Sequence, residues 1–178
     1  MGFGPSSAGD VSLNTSLTPE QRERYQNTKL IRELLGSAKT IAVVGLSTEK
    51  TKASNMVASY LQDEGYRIIP VNPRAAEILG ETCYPDLKSV PAPIDIVDVF
   101  RPAADVPRIV DEAIEVGAKA VWLQLRIIDL ESAERALENG LQVVVDKCLK
   151  MEHGRYCGAL HWAGMNTEVI TAQRRKPR

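Results

Sequence analysis

Short apolar runs alternate with amphipathic stretches along the central part of the chain. The runs are hydrophobic at successive positions, which is typical of strands that are buried on both faces of a sheet. We predict strands at 40–46, 67–71, 94–100, 118–123 and 141–145. Gly65, Gly117 and Gly140 each separate a helical pattern from the next strand, and we expect them to end the helices.

The stretches between these strands repeat apolar residues at helical spacing. We predict helices at 53–64, 104–116 and 129–138, and a short helix at 75–79. Before the first strand, Thr18, Pro19 and Gln21 form a capping box. It predicts a helix, continuous or broken, that runs to Leu35 and stops at Gly36.

Strand–helix–strand units at this spacing favour right-handed crossovers and a parallel sheet. We therefore predict an α/β fold: a Rossmann-like, doubly wound, mainly parallel sheet with helices on both faces. The predicted organisation is a disordered lead-in (1–16), one domain (17–165, with a helix at 18–35 and a core at 39–153) and a basic tail (166–178). Because such sheets bind ligands at the carboxyl ends of their strands, the residues after each strand carry the functional expectations.

Composition narrows the possible functions. The 178 residues include 22 Lys and Arg against 23 Asp and Glu, so the formal net charge is −1. This balance argues against an electrostatic nucleic-acid binder, and no apolar run is long enough to span a membrane. Three cysteines cannot all pair, and the first ten residues lack the apolar segment of a secretory signal. We therefore expect a cytoplasmic protein with reduced thiols.

The loop after the first strand is a candidate phosphate site. Gly45 permits close approach of a ligand, the loop is rich in hydroxyls and lysines, and helix amides follow near Ser54 and Asn55. These features predict a pyrophosphate cradle; the alternative is an ordinary polar loop with Ser54 as helix N-cap. Gly45 is the only glycine in the loop, so neither the G-x-G-x-x-G fingerprint nor the P-loop pattern is present.

The end of the second strand carries a cation. A NAD domain needs an acid near this point to bind the ribose, whereas this chain has Asn72, Pro73 and Arg74. Arginine binds phosphate, which indicates the 2′-phosphate of NADP or the 3′-phosphate of coenzyme A. The alternative is a turn with a solvated Arg74.

The next two strand ends offer contacts for the rest of such a ligand. Phe100 could pack against adenine or pantetheine, and Arg101 could offset phosphate charge or pair with Asp98. We favour Asp98 as a structural, hydrogen-bonded acid. Gln124 follows the next strand and is expected to emerge at the crevice, where it can donate to and accept from an amide-rich ligand.

Six blocks of sequence, in order, carry a family resemblance: IAVVGLS, GYRIIPVNP, EILGETCYPDL, DIVDVFR, WLQL and VVVDKCLKMEH. From about Lys39 to His153 the chain resembles the small bacterial CoA-binding domain proteins, relatives of the CoA-binding domain in the succinyl-CoA synthetase alpha subunit. The chain departs from the family pattern by lacking a proline in the first loop and by having Arg126 near a position that is commonly glycine.

The resemblance implies a Rossmann-like fold that binds coenzyme A or an acyl-CoA. Its binding positions, together with Lys52 from the basic first loop, are Gly45, Leu46, Ser47, Lys52, Ser54, Asn55, Asn72, Pro73, Arg74, Val99, Phe100, Arg101 and Gln124.

The last third of the chain suggests no catalytic residue. Cys148, His153, Cys157 and His161 have the spacing C-x4-H-x3-C-x3-H, which matches no usual zinc pattern, and we expect no metal. Cys148 is either a small buried residue or a thiol that could pair with the thiol of CoA under oxidation. The closing run 174–178 is interpreted as a solvated tail, with a tether to an acidic partner as the alternative.

The function expected from these observations is non-catalytic binding of coenzyme A or acyl-CoA. One alternative is an enzyme: an NADP-dependent reductase, or a CoA-ligase-like subunit that needs a partner chain bearing the catalytic histidine. A second alternative is a regulatory protein whose interaction with a partner responds to CoA. The expected partner is a small-molecule nucleotide, not a nucleic acid or a membrane, and a protein partner stays open.

Overall fold

The computed structural model describes residues 16–157. Its main sheet has five parallel strands in the order β2-β1-β5-β6-β7. The strands are β1 (Thr40–Val44), β2 (Arg67–Val71), β5 (Ile96–Val99), β6 (Ala120–Leu123) and β7 (Gln142–Val144). Every strand predicted from an apolar run is therefore present, and the α/β fold with a mainly parallel sheet is confirmed.

Helices cover both faces of this sheet. They are α1 (Pro19–Tyr25), α2 (Thr28–Ser37), α3 (Ala53–Asp63), α4 (Val106–Glu115), α5 (Leu130–Glu138) and α6 (Leu149–Tyr156). One face buries residues of α4 and α5, and the other buries residues of α2, α3 and α6. None of the helices among residues 16–157 has the length and apolar character needed to cross a membrane.

The N-terminal helical segment is broken into α1 and α2. Thr18 caps α1 through the predicted capping box, and Asn27 caps α2 by accepting a hydrogen bond from Leu30 N–H at 3.1 Å. The predicted stop at Gly36 is wrong, because α2 continues to Ser37 and Gly36 adopts helical backbone within it. By contrast, Gly65, Gly117 and Gly140 all have positive φ at the ends of their helices, as predicted.

The predicted short helix at 75–79 is also wrong. The segment forms a small antiparallel hairpin of β3 (Glu77–Ile78) and β4 (Glu81–Thr82). Ile78 is buried, and Gln62 of α3 donates to Leu79 O at 3.2 Å. These tertiary contacts override a weak local helical pattern and place the hairpin beside the end of β2.

The region after β7 contains a helix that the sequence analysis did not predict. In α6, Leu149 is completely buried and His153 is 4% exposed. Tyr60 Oη lies 3.0 Å from His153 Nδ1, and Tyr66 packs edge-on against the same ring. The helix is therefore part of the core. The predicted tail 166–178 and most of the lead-in 1–16 lie outside the described residues.

Candidate functional site

The point where the strand order reverses lies between β1 and β5. The chain leaves β1 toward β2 on one side and later returns to add β5 on the other, so the loops after β1 and β5 diverge over a crevice. Gly45 stands at this point with φ +86°. A Cβ there would lie 2.8 Å from Arg101 Cδ and 2.9 Å from Phe100 O. Glycine is therefore required at position 45 for two reasons: its φ is positive, and a side chain would clash where the loops after β1 and β5 touch.

The first loop is held against the start of α3 by buried polar side chains. Ser47 N–H donates to Ser54 Oγ at 3.1 Å, and Asn55 Nδ2 donates to Ser47 O at 2.8 Å. Lys52 occupies the N-cap position and makes no side-chain capping bond, so Ser54 is not the N-cap. The first amides of α3 therefore have no capping acceptor and can donate hydrogen bonds to an anion.

The end of β2 is fixed by Asn72. Its Nδ2 donates to Leu46 O at 2.9 Å, and its Oδ1 accepts from Arg74 N–H at 2.8 Å. Pro73 and Arg74 are exposed beyond this turn. Asn72 consequently links the turn to the first loop, and Arg74 is exposed just beyond the turn.

A recess of about 200 Å³ opens between the first loop and the hairpin. Its lining consists of Thr48, Lys50, Asn55, Glu77, Ile78 and Leu79. The sequence analysis missed this recess because it took the hairpin for a helix. The recess has both apolar and hydrogen-bonding side chains, which suits a heterocyclic or sugar group.

The lysine and arginine side chains at the strand ends differ in whether they already have an ion-pair partner. Lys52 Nζ lies 3.9 Å from Glu49 Oε2, and Arg101 pairs with Asp105 at 2.8 Å. The suggested pairing of Arg101 with Asp98 is therefore wrong. Within residues 16–157, Lys50 and Arg74 are exposed and make no ion pair, which leaves both available to an anionic ligand.

Two predicted binding residues have side chains that face the core. Leu46 and Val99 are completely buried on opposite faces of the sheet. Leu46 O already accepts from Asn72. These residues can shape the crevice only through their backbone.

Gln124 is buried, not exposed at the crevice as predicted. It is 4% exposed, and its Nε2 donates to Asp98 Oδ1 at 2.7 Å. The sequence analysis treated the two residues separately and missed this pair. The available signal was that Asp98 interrupts one apolar strand and Gln124 directly follows the next. Asp98 pairs in register with Trp122, two residues before Gln124, so the two polar residues lie on neighbouring strands.

Asp98 is confirmed as a buried, hydrogen-bonded acid. It has no exposed surface, and its Oδ2 has no hydrogen-bond partner. Burial raises the pKa of Asp98 from 3.8 to about 7, although the bond from Gln124 opposes this rise. Burial therefore favours the neutral form of this carboxyl group.

Cys148 precedes α6 near the carboxyl end of β7 and is partly buried. Burial raises the pKa of its thiol, and the charge of Asp98 adds to the effect. The thiol is therefore largely protonated at neutral pH. Its suggested disulfide with CoA stays a prediction.

Three of the four residues in the C-x4-H-x3-C-x3-H pattern lie in the described part of the chain, and they are not grouped as a metal site. His153 lies against Tyr60 inside the core, and Cys157 is at the exposed end of α6. The fourth residue, His161, lies outside the described residues. Among residues 16–157, no three His, Cys, Asp or Glu side chains are grouped so that they could hold a metal.

Comparison with known proteins identifies the family. A family model described as "CoA binding domain" matches residues 39–154. The uncharacterized protein YneT of Bacillus subtilis (strain 168) is 42% identical over 123 residues, which cover 69% of this chain and 91% of that protein. A hypothetical protein from Pyrococcus horikoshii OT3 has a solved structure that superposes with a TM-score of 0.72 at 39% identity, covering 74% of this chain and 92% of that one.

A larger enzyme contains a similar segment. The ADP-forming acetate–CoA ligase I of Archaeoglobus fulgidus is 30% identical over 129 residues, which cover 67% of this chain and 19% of the ligase. This chain thus spans about a fifth of that enzyme's length. The match over residues 39–154, on a parallel sheet with a glycine at its switch point, shows that the chain belongs to the CoA-binding domain family.

Proposed function

We propose that this protein binds coenzyme A or an acyl-CoA across the carboxyl ends of four adjacent strands and catalyses no reaction by itself. The order of the strands in the sheet is the observation that supports this proposal. Arg74 follows β2, Gly45 follows β1, Phe100 follows β5 and Gln124 follows β6, and these strands are neighbours in that order. Neighbouring strands lie about 4.8 Å apart, so the series spans roughly 14 Å. A row of this length suits an elongated ligand.

Each part of the row has chemistry for one part of CoA. Arg74 and Lys50 would bind the 3′-phosphate, and the recess beside the hairpin would take the nucleoside. The uncapped amides of α3 would bind the pyrophosphate, which needs close backbone approach at Gly45. Pantetheine would then cross Phe100 toward the carboxyl end of β6, where it would meet the backbone of the residues that follow the strand. The uncapped amides of α3 and the exposed, unpaired side chains of Lys50 and Arg74 are what make the residues present suitable for this ligand.

Calorimetry with CoA, dephospho-CoA, NADP and ATP tests the proposal. We expect CoA to bind most tightly and R74E to weaken CoA much more than dephospho-CoA, because only CoA carries the 3′-phosphate. R67E, which reverses a charge at the amino end of the same strand, far from the carboxyl ends, is the matched control and should leave the ratio unchanged. Tight NADP binding without CoA binding would favour the reductase alternative and refute the proposal.

A second candidate function is that of a ligase-like subunit. The similarity to the ADP-forming acetate–CoA ligase favours it, since this chain corresponds to a small part of that enzyme. In this role the chain would supply CoA to a catalytic partner chain. ATP-dependent acyl-CoA formation should then appear only when the partner is added. A CoA-responsive regulator would instead bind its partner only in one ligand state, without any turnover.

A further inference from the structure

The carboxyl end of β7 lies beyond Gln124 in the strand order, at the edge of the sheet. The loop after β6 and the loop before α6 meet there, because Arg126 N–H donates to Asp146 Oδ1 at 2.7 Å. Trp122 Nε1 also donates to Lys147 O at 2.7 Å. We refer to residues 125–126 and 146–151 as the β7 edge. A ligand that runs from β2 toward β6 would reach this edge with its thiol end.

The backbone of the β7 edge is held in an unfavourable conformation. Ile127 N–H donates to Gln124 O at 3.0 Å, which closes a turn with Arg126 at its third position. Arg126 has φ +65°, and Asp146, which anchors it, has φ +58°. The third position of such a turn favours glycine. Strained non-glycine residues are concentrated at functional sites, so an arginine here suggests a role for its side chain.

The exposed side chains of the β7 edge combine a cation with apolar groups. Leu125 is 52% exposed and Met151 is 47% exposed; with Met56 they are the large hydrophobic side chains exposed among residues 16–157. Arg126 is exposed and makes no ion pair within the same residues. The turn thus carries an exposed aliphatic side chain and an available guanidinium group at adjacent positions, and Met151 is exposed in the first turn of α6.

We propose that Arg126 is a specificity residue that binds the terminal carboxylate of an acyl group carried on CoA, while Leu125 and Met151 contact the carbon chain. The inference rests on the proposed CoA site, which places the thioester near Gln124. A guanidinium group pairs with a carboxylate through two parallel hydrogen bonds, and the intervening methylenes need an apolar surface. Because the guanidinium is exposed to water, the preference is modest, about 5-fold in affinity.

The test compares pentanoyl-CoA and glutaryl-CoA, which have equal carbon numbers and differ in a terminal methyl or carboxylate group. Calorimetry with the full chain should show glutaryl-CoA binding about 5-fold more tightly. R126G should abolish this preference and leave the affinity for CoA itself unchanged. It should also raise the melting temperature, since glycine adopts the positive φ without strain. A preference lost in a more stable protein cannot be attributed to unfolding.

R67A is the control for a general charge effect, because it removes the same charge at the amino ends of the strands. This variant should keep the preference for glutaryl-CoA. If the wild-type chain binds CoA but does not distinguish the two acyl groups, or if R126G keeps the preference, the role of Arg126 is refuted. If the wild-type chain binds neither CoA nor either acyl-CoA, the proposed function itself is refuted.

Discussion

The buried carboxyl group of Asp98 should make the stability of the protein depend on pH. Burial raises the pKa of Asp98 from 3.8 to about 7 in the folded state. A group whose pKa is raised on folding contributes stability that is fully present below the unfolded pKa and is lost as pH rises toward the folded pKa. For Asp98 this loss extends from about pH 4 to about pH 7.

The magnitude follows from the interval between pH 5 and pH 8. Above its pKa, ionisation of Asp98 lowers the free energy of a state by about 1.4 kcal/mol per pH unit. In the unfolded chain this applies over the whole interval, whereas in the folded chain it applies only above about pH 7. Asp98 should therefore lower the free energy of unfolding by about 2–3 kcal/mol between pH 5 and pH 8.

D98N isolates this contribution. Asparagine keeps an oxygen that accepts from Gln124, but it cannot ionise. Its amide also places an N–H₂ group where Oδ2 has no partner, which costs about 1–3 kcal/mol at every pH. The informative quantity is therefore the change in stability with pH, not the stability at one pH.

The assay is urea unfolding of wild-type protein, D98N and D86N at pH 5 and pH 8. Asp86 is a partly exposed aspartate whose pKa is lowered by hydrogen bonds from Ser89, so it is ionised at both pH 5 and pH 8. We expect wild-type protein and D86N to lose about 2–3 kcal/mol more than D98N on going to pH 8. Equal losses in all three proteins would refute the assignment of a neutral, buried carboxyl group.

Three further outcomes follow from single contacts. G45A should abolish CoA binding and lower the free energy of unfolding by about 1–2 kcal/mol or more, since its Cβ meets Arg101 and its φ is positive; denaturant melts and calorimetry check both effects. Burial lowers the pKa of His153 below 6.5, so stability should be lost as pH falls below about 6.5, and H153Q should weaken this acid dependence in urea melts. W122F should cost about 1 kcal/mol by leaving the partly buried carbonyl of Lys147 without its indole donor, with unchanged unfolding as the contrary result.

Much of the fold follows from local patterns. The strands around Ala42 and Val121 are apolar on both faces, which is characteristic of a covered parallel sheet, and helices between them require crossovers. Gly65 and Gly117 end their helices in the predicted positive-φ conformation. These features depend on periodicity and on backbone sterics, both of which act within a few residues.

Contacts between distant segments account for the differences. Gln62 and the buried Ile78 stabilise a hairpin where the local pattern suggested a helix. Tyr60 and Leu149 help to fix α6 in a region whose weak amphipathic pattern does not identify a core helix. In each case the partner lies many residues away, so no local window contains the information.

The sequence by itself determined the class of the fold, the positions of the strands and the set of polar residues at the strand ends of this protein. The tertiary structure alone decided which of those residues are available to a ligand. It paired Arg101 with Asp105, buried Gln124 against Asp98, and left Arg74 exposed. The physical reason is that burial and hydrogen-bond partners depend on which strands and loops become neighbours, whereas periodicity depends only on positions along the chain.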